Sequence, residues 1–376
     1  MSVVPETMRA ARMHDVGAPM VIEDVPTPKP APLDVLVRVR ACGIVPNLGN
    51  VLKNWTSWFP QNPLPELPAT FGLDPAGEIA AIGSAVTGLK VGDRVYVNPG
   101  RSCGSCRACR EDNPVACTSF VLQGYFGFTP TAQRVFDQYP FGGLGEYMIA
   151  PANSVVVLPD NISFQEAARF GYLGTAYSAL RKGRAGPNVT TLINGGSGTL
   201  GLGAVLLALA MGVTKILAVA RNPELLEEVR KLAPSRILVH SVLDGPIEPW
   251  AYEVTDGDGV DLVIDCLGPG SPGSAMIDAM RSLRRGGRIV NVGAVADMLP
   301  MDVHTFMDRN QTFMGSCWFT PGEGAAMAEM VRAGTLDMSV FRQESYPLDR
   351  INDVLAGLEQ RHGGFSNFTV CPLESG

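Results

Sequence analysis

Four thiols lie within fifteen residues in Cys103-x2-Cys106-x2-Cys109-x7-Cys117, between a Gly-rich turn and a loop. Thiolates at that spacing close around one tetrahedral ion, and four of them leave no open position for a substrate, so the expected occupant is a single structural zinc. An iron–sulfur cluster uses similar spacing, whereas disulfides are disfavoured in a reducing compartment. The other cysteines, Cys42, Cys266, Cys317 and Cys371, are scattered in apolar, strand-like surroundings and read as small core residues.

A second constellation is Gly195-Gly196-Ser197-Gly198-Thr199-Leu200-Gly201, which follows an apolar run and opens an apolar helix. Glycines there keep the turn tight and let backbone N–H groups approach a pyrophosphate at the positive end of the helix. Surface turns also use glycine, so the weight lies in the placement between a buried strand and a helix. The next strand, Ile216 to Ala220, ends in Arg221-Asn222, where NAD sites hold an acidic residue for the ribose hydroxyls. Arg221 attracts a 2′-phosphate, which makes NADP(H) the expected dinucleotide, with Asn222 beside it. The plainer alternative is a solvated cation or one stacked on adenine.

These residues need elements to hold them. Short β-type runs punctuated by Pro and Gly fill the first third: Val35 to Ala41, Glu78 to Ile82, Asp93 to Val97, Glu146 to Ala150 and Val155 to Leu158. They predict an antiparallel, barrel-like lobe. From Phe164 the period changes, with a helix to Leu180, then strands at 190–194, 215–220, 236–240, 260–265, 288–292 and 311–317. Helices at 199–211, 223–232 and 273–285 alternate with them, which predicts a doubly wound parallel sheet. Residues from Pro321 onward return to helices and a final strand, Phe365 to Val370. The expected organisation is therefore α/β, with residues 1–163 and 321–376 forming one domain, its metal lobe at about 99–118, and 164–320 the cofactor domain inserted between them.

A chain of 376 residues exceeds what one core usually fills. Its net charge of -7, without a basic block, argues against nucleic acid as a partner. The longest apolar stretch, Leu202 to Val213, is too short to span a bilayer, and the N-terminus has no basic region followed by an apolar run. The expectation is a cytoplasmic protein with a small-molecule substrate and no membrane partner.

Taken with Val263-Ile264-Asp265-Cys266-Leu267-Gly268, Gly287-Arg288-Ile289-Val290-Asn291-Val292-Gly293 and the stretch from Pro347-Leu348 to Phe368-Thr369-Val370, the quartet and the glycine turn fall in an order that resembles the medium-chain dehydrogenase/reductase superfamily over essentially the whole length. That resemblance implies a GroES-like catalytic domain and a Rossmann cofactor domain. It implies that Thr175 holds the nicotinamide carboxamide and that Leu267, Val292 and Gly293 border the cofactor. Asn367 stands where zinc-type relatives place a basic residue, and a homodimer is expected through the last strand of the sheet.

The quartet resembles the structural-zinc lobe of zinc-type alcohol dehydrogenases, yet the ligands of their second, catalytic zinc are replaced. The matching positions are Val45, Leu73 and Gly171, whose side chains carry no metal-binding atom. Gly72-Leu73-Asp74-Pro75-Ala76-Gly77 is instead similar to the zinc-free quinone reductase branch, although that branch generally lacks the quartet. Hydride addition to a conjugated C=C needs no Lewis acid if donors stabilise the enolate oxygen. Asn47, Tyr172 and Tyr125 are the candidate donors; a core aromatic tied to backbone is the bland alternative for each tyrosine. Aromatics at Trp55, Trp58 and Phe59, and between Phe120 and Phe141, predict a bulky apolar or aromatic substrate if they line the cleft. Zinc-independent alcohol, carbonyl or imine redox chemistry and a nucleotide-binding scaffold without catalysis are the alternatives.

Overall fold

A computed structural model describes residues 4–374. Six parallel strands form one sheet, in the order Ile237–Ser241, Ile216–Ala220, Thr191–Asn194, Val260–Asp265, Leu283–Asn291, Thr312–Gly315. The strand order turns back between Thr191–Asn194 and Val260–Asp265, which opens a crevice outside their carboxyl ends. The strands are rich in Val, Ile, Leu and Ala because both faces are covered. Leu192, Val263 and Ile289 pack with Ile247 and Met276 on one face, while Ile193 and Ile264 pack with Leu202 and Val205 on the other. Each such aliphatic side chain contributes roughly 1.5–3 kcal/mol by leaving water. Helix Thr199–Ala210 is apolar on every side and is buried continuously from Gly201 to Ala208.

The other main sheet has seven strands, mostly antiparallel, and draws on both ends of the chain. Asp34–Gly43 is its centre, flanked by Asp74–Ile82 and Tyr147–Pro151 and meeting Ser366–Cys371 at the cleft end. Thr7–Met13 pairs with Val21–Pro26 in a smaller sheet. Among the described residues no helix is long and apolar enough to cross a membrane.

Several expected elements change in detail. The helix expected from Phe164 breaks into Phe164–Ala167 and Phe170–Lys182, the first closed by a Ser163/Glu166 capping box. The helix expected to reach Arg285 stops at Arg281, because Leu283 already enters the strand Leu283–Asn291. The segment holding Trp55 is helix Leu48–Trp58, and the long loop after Cys117 contains helix Gln133–Gln138. Arg342–Pro347 is an additional strand, parallel to Ser366–Cys371; its burial is too slight to give an apolar alternation.

Candidate functional site

A cleft of about 760 Å³ lies where the two sheets face each other. Residues after two strands of the parallel sheet form one wall, Asn291 to Val295 and Gly315 to Trp318. Helix Leu48–Trp58 and the segment Leu122 to Phe128 contribute to the opposite wall, and helix Phe170–Lys182 brings Tyr172 and Thr175 between them.

At the inner end three side chains meet. Asn47 precedes helix Leu48–Trp58, and its Oδ1 accepts from Asn50 Nδ2 at 3.2 Å. That bond leaves the Asn47 amide nitrogen facing Tyr125, while the Asn47 backbone N–H faces Tyr172. Burial pushes Tyr125 well above its ordinary value and Tyr172 up to about 12. Both are therefore neutral donors at ordinary pH. Asn47, Tyr125, Tyr172 and Thr175 all line the one cleft, as do Leu200, Val292 and Gly293. Thr175 donates its hydroxyl to Gly171 O at 2.8 Å, within its own helix.

The dinucleotide turn is built by close approach. Gly195 has φ +87°, and its N–H and that of Gly196 both donate to Val219 O at 2.8 Å. A Cβ on Gly201 would stand 2.1 Å from Gly195 O. Gly198 begins helix Thr199–Ala210 with no side-chain cap, so the first-turn N–H groups of Thr199, Leu200 and Gly201 are open to an anion. Ser197 is buried and its carbonyl accepts from Gly364 N at 2.8 Å. Leu267 borders the same turn, and its carbonyl lies where a Cβ on Gly293 would be, 2.3 Å away. The residues fit a dinucleotide: an uncapped helix, a turn stripped of side chains and an adjoining cleft.

Arg221 is exposed just past Ile216–Ala220, with no partner for its guanidinium among the described residues. Asn222 has a role beyond the expected one: its Oδ1 accepts from Glu224 N at 2.9 Å and Leu225 N at 3.0 Å, capping helix Pro223–Lys231. Asn367, expected beside the cofactor, follows Ser366, whose carbonyl Arg169 ties to the start of the dinucleotide helix. It is buried in Ser366–Cys371, off the cleft, and its amide nitrogen donates to Gln165 O at 2.9 Å and Gln343 Oε1 at 2.7 Å.

Two buried charged groups lie under the site: Asp74, inside the Gly72 to Gly77 run but given no role from sequence, and Arg169, which the sequence reading did not single out. Asp74 is 1% exposed and accepts from Tyr96 Oη at 2.8 Å. Its carboxylate fills the space above Gly171, where a Cβ would come within 1.9 Å of Oδ1. Burial pushes Asp74 up to about 7, against the hydrogen bond from Tyr96 and the charge of Arg169. Arg169 donates to the carbonyls of Gly364 at 2.8 Å, Ser366 at 3.3 Å and Thr199 at 3.4 Å, and lies over the Tyr172 ring at 5.7 Å. It thus ties the dinucleotide helix to the C-terminal strand directly beneath the cleft. Burial lowers Arg169 to about 10, which still leaves it a cation at neutral pH.

The four thiols converge, with Sγ atoms within 4.8 Å of one another and no disulfide among them. Four sulfurs bonded tetrahedrally at about 2.3 Å to one zinc stand about 3.8 Å apart, so side-chain shifts of about 1 Å close the quartet on a single ion. Backbone N–H groups of Cys106 and Ser119 point at Cys103 and Cys117 sulfurs, at 3.4 and 3.3 Å. Donation from Cys109 and Thr118 brings Cys106 down to about 6, while burial pushes Cys117 up to about 12; binding a cation favours the thiolate in both. Among the described residues this is the one group of three or more metal-ligating side chains that lies close enough together to hold an ion.

The aromatic expectation divides. Trp55, Phe59, Tyr125, Phe126 and Phe128 line the cleft, whereas Phe136 and Tyr139 pack in a separate core with Val121 and Ala132. Trp58 is 42% exposed and lies off the cleft.

Comparison with known proteins matches residues 31–160 to the alcohol dehydrogenase GroES-like domain and residues 199–333 to the zinc-binding dehydrogenase family. The chain is 30% identical to sorbitol dehydrogenase of Bacillus subtilis (strain 168) over 353 residues, 94% of each chain. It is 31% identical over 350 residues to alcohol dehydrogenase of Geobacillus stearothermophilus, covering 92% of this chain and 95% of that one. A zinc-binding dehydrogenase from Sinorhizobium meliloti 1021, solved bound to NADP, shares the fold with a TM-score of 0.82 at 24% identity, over 98% of this chain and 100% of that one.

Proposed function

We propose the reaction of a chain that belongs to the zinc-binding dehydrogenase family, as an oxidoreductase of the medium-chain dehydrogenase/reductase superfamily: NADP(H)-dependent reduction of an activated double bond, of enone or quinone type, on a bulky apolar or aromatic substrate, without a zinc at the reaction centre. The observation that carries this reading is the inner end of the cleft. Leu73 and Gly171 line it and Val45 is buried two residues before Asn47, and none has a metal-binding side-chain atom. The polar groups that converge there are Asn47, Tyr125 and Tyr172.

The glycine turn would hold NADP(H), which would supply the hydride. The phenols of Tyr125 and Tyr172 donate hydrogen bonds to the acceptor's oxygen as negative charge develops on it, and a solvent proton then adds to the α-carbon of the enolate to give the saturated product. Asn47 lies beside both phenols and adds a third polar group at the same end of the cleft. A conjugated acceptor suits such a site because its charge spreads onto that oxygen, whereas an isolated carbonyl gains more from a Lewis acid. The preference for NADP(H) rests on Arg221 and the absence of an acid at that strand end. The Cys quartet is assigned one structural zinc.

The test is NADPH consumption with benzylideneacetone, 1,4-benzoquinone and simple aldehydes, with product identification. Saturated ketone from benzylideneacetone is the expected product. A second reading, zinc-independent carbonyl or alcohol redox with a tyrosine as acid, is favoured by the alcohol and polyol dehydrogenases among the relatives; the allylic alcohol would establish it. Tight NADPH binding without turnover across the panel would return the chain to a nucleotide-binding scaffold or sensor.

A further inference from the structure

Arg169 is a buried charge without a counter-charge. It is 4% exposed, and its guanidinium is held by three carbonyl oxygens, those of Gly364, Ser366 and Thr199. Its Nε is buried without a partner, and among the described residues no carboxylate pairs with it. Carbonyl dipoles replace part of a cation's hydration but leave its charge in place. A buried, unpaired cation is costly to fold around, and its position beneath the cleft calls for a use.

That charge reaches the cleft through one residue. Arg169 immediately precedes helix Phe170–Lys182, and Tyr172 stands in the first turn of that helix. The guanidinium lies over the Tyr172 ring, 5.7 Å from its centroid, and 4.8 Å from the ring of Phe341. Tyr172 lines the cleft with Asn47 and Tyr125, and among the described residues no acidic side chain lines it. The other ionisable groups that act on Arg169 or Tyr172 are Asp74, buried, and Arg361, exposed, with buried Tyr125 acted on by Tyr172. Asp74 is the one carboxyl among them, and its burial favours the neutral form.

We propose that Arg169 is a positioning residue that supplies the fixed positive charge of the reaction centre, acting through Tyr172 on the oxygen where negative charge develops. A nearby cation favours a phenolate over a phenol, so it makes the Tyr172 hydroxyl a stronger donor while the phenol keeps its proton. A centre with Val45, Leu73 and Gly171 in place of metal ligands thereby keeps a cation beneath the acceptor. The inference rests on the proposed reading of the cleft as a substrate site, but it concerns charge and is measured by binding.

The experiment is a pH titration of 4-nitrophenol, which becomes a coloured oxyanion on ionising, bound to protein saturated with NADP+. A unit charge roughly 6 Å away in a protein interior moves an ionisation by about two pH units, and the dye's oxygen lies one hydrogen bond farther. The bound dye should therefore ionise at least about one pH unit below the free dye. Arg169→Gln keeps a donor for the carbonyls and removes the charge, and should raise the bound midpoint by about one pH unit, whereas Arg169→Lys keeps the charge and most of the lowering. A midpoint at or above that of the free dye, a lowering that survives Arg169→Gln, equal loss in both variants, or no binding of the dye overturns the proposal. If Arg169→Gln does not fold, the midpoint in the unaltered protein decides alone. Failure of double-bond reduction with the lowered midpoint intact would overturn the proposed reaction and leave the charge assigned to Arg169 standing.

Discussion

Arg221 stands at the carboxyl end of its strand with no partner for its guanidinium among the described residues, in the domain whose helix Thr199–Ala210 opens without a side-chain cap. A charge-assisted contact to a phosphate contributes roughly 1.5–3 kcal/mol. Arg221→Ala should therefore weaken NADPH by about 10- to 100-fold while NADH binding changes little, as read by cofactor fluorescence; equal losses for both would remove Arg221 from the 2′-phosphate. Asp74 makes a prediction of a different kind. Its carboxyl holds a proton up to about pH 7 when folded, against an ordinary value of 3.8. The stability it contributes is thus complete below pH 3.8 and is lost as pH rises through 7. Relative to Asp74→Asn, the unaltered protein should lose stability from about pH 4 to 7, at up to roughly 1.4 kcal/mol per pH unit. Thermal melts of the pair across that range check this, and a constant gap would show that Asp74 is ionised throughout. Asn47, Tyr125 and Tyr172 were legible from type and position in a recognisable framework. Asp74 stood in a run singled out from sequence, but neither its burial nor that of Arg169 was legible, since one charge reads the same whether it faces water or is buried.

The metal loop shows how an element reaches beyond its own residues. Between Cys109 and Cys117 the chain supplies Asn113, Val115 and Ala116 to the cleft rim. Beyond it, Phe120 N–H donates to Cys117 O at 3.1 Å and Phe128 N–H to Phe120 O at 3.1 Å, which joins the thiol loop to a cleft-lining ring. Removing the ion with a thiol-directed mercurial, or by Cys117→Ser, should lower the melting temperature and raise KM for an aryl enone several-fold, with NADPH affinity retained. An unchanged KM after complete metal loss would separate the loop from the cleft. The glycine turn and the strand-helix alternation were readable because their patterns are local. Helix Leu48–Trp58 was readable but not read: Leu48, Val51, Leu52 and Trp55 fall at the i, i+3, i+4, i+7 spacing of one helical face, in a segment taken for a loop because of its aromatics. The early end of the helix at Arg281 was hidden because Arg284-Arg285 continues in residues that suit a helix as well.

At the scale of the molecule, the parallel sheet ends in Thr312–Gly315, an edge strand with no outer neighbour among the described residues. Nearby exposed apolar side chains include Val303 at 73%, Met307 at 67% and Phe313 at 38%. An open edge bordered by apolar side chains suits pairing with a second copy. We expect a homodimer, which light scattering after size exclusion would report at about twice 40.0 kDa, whereas a 40.0 kDa species would contradict it. The two-lobe plan was legible because the periodicity changes once near Phe164 and the chain returns to the first sheet at its end. The central claim is that the cleft reduces a double bond with a single, remote zinc. A zinc count on the purified protein, paired with benzylideneacetone reduction before and after brief treatment with a chelator, tests it most directly. One zinc per chain and undiminished turnover is the predicted result; two zincs, or turnover lost with the first zinc removed while the fold is intact, would contradict it.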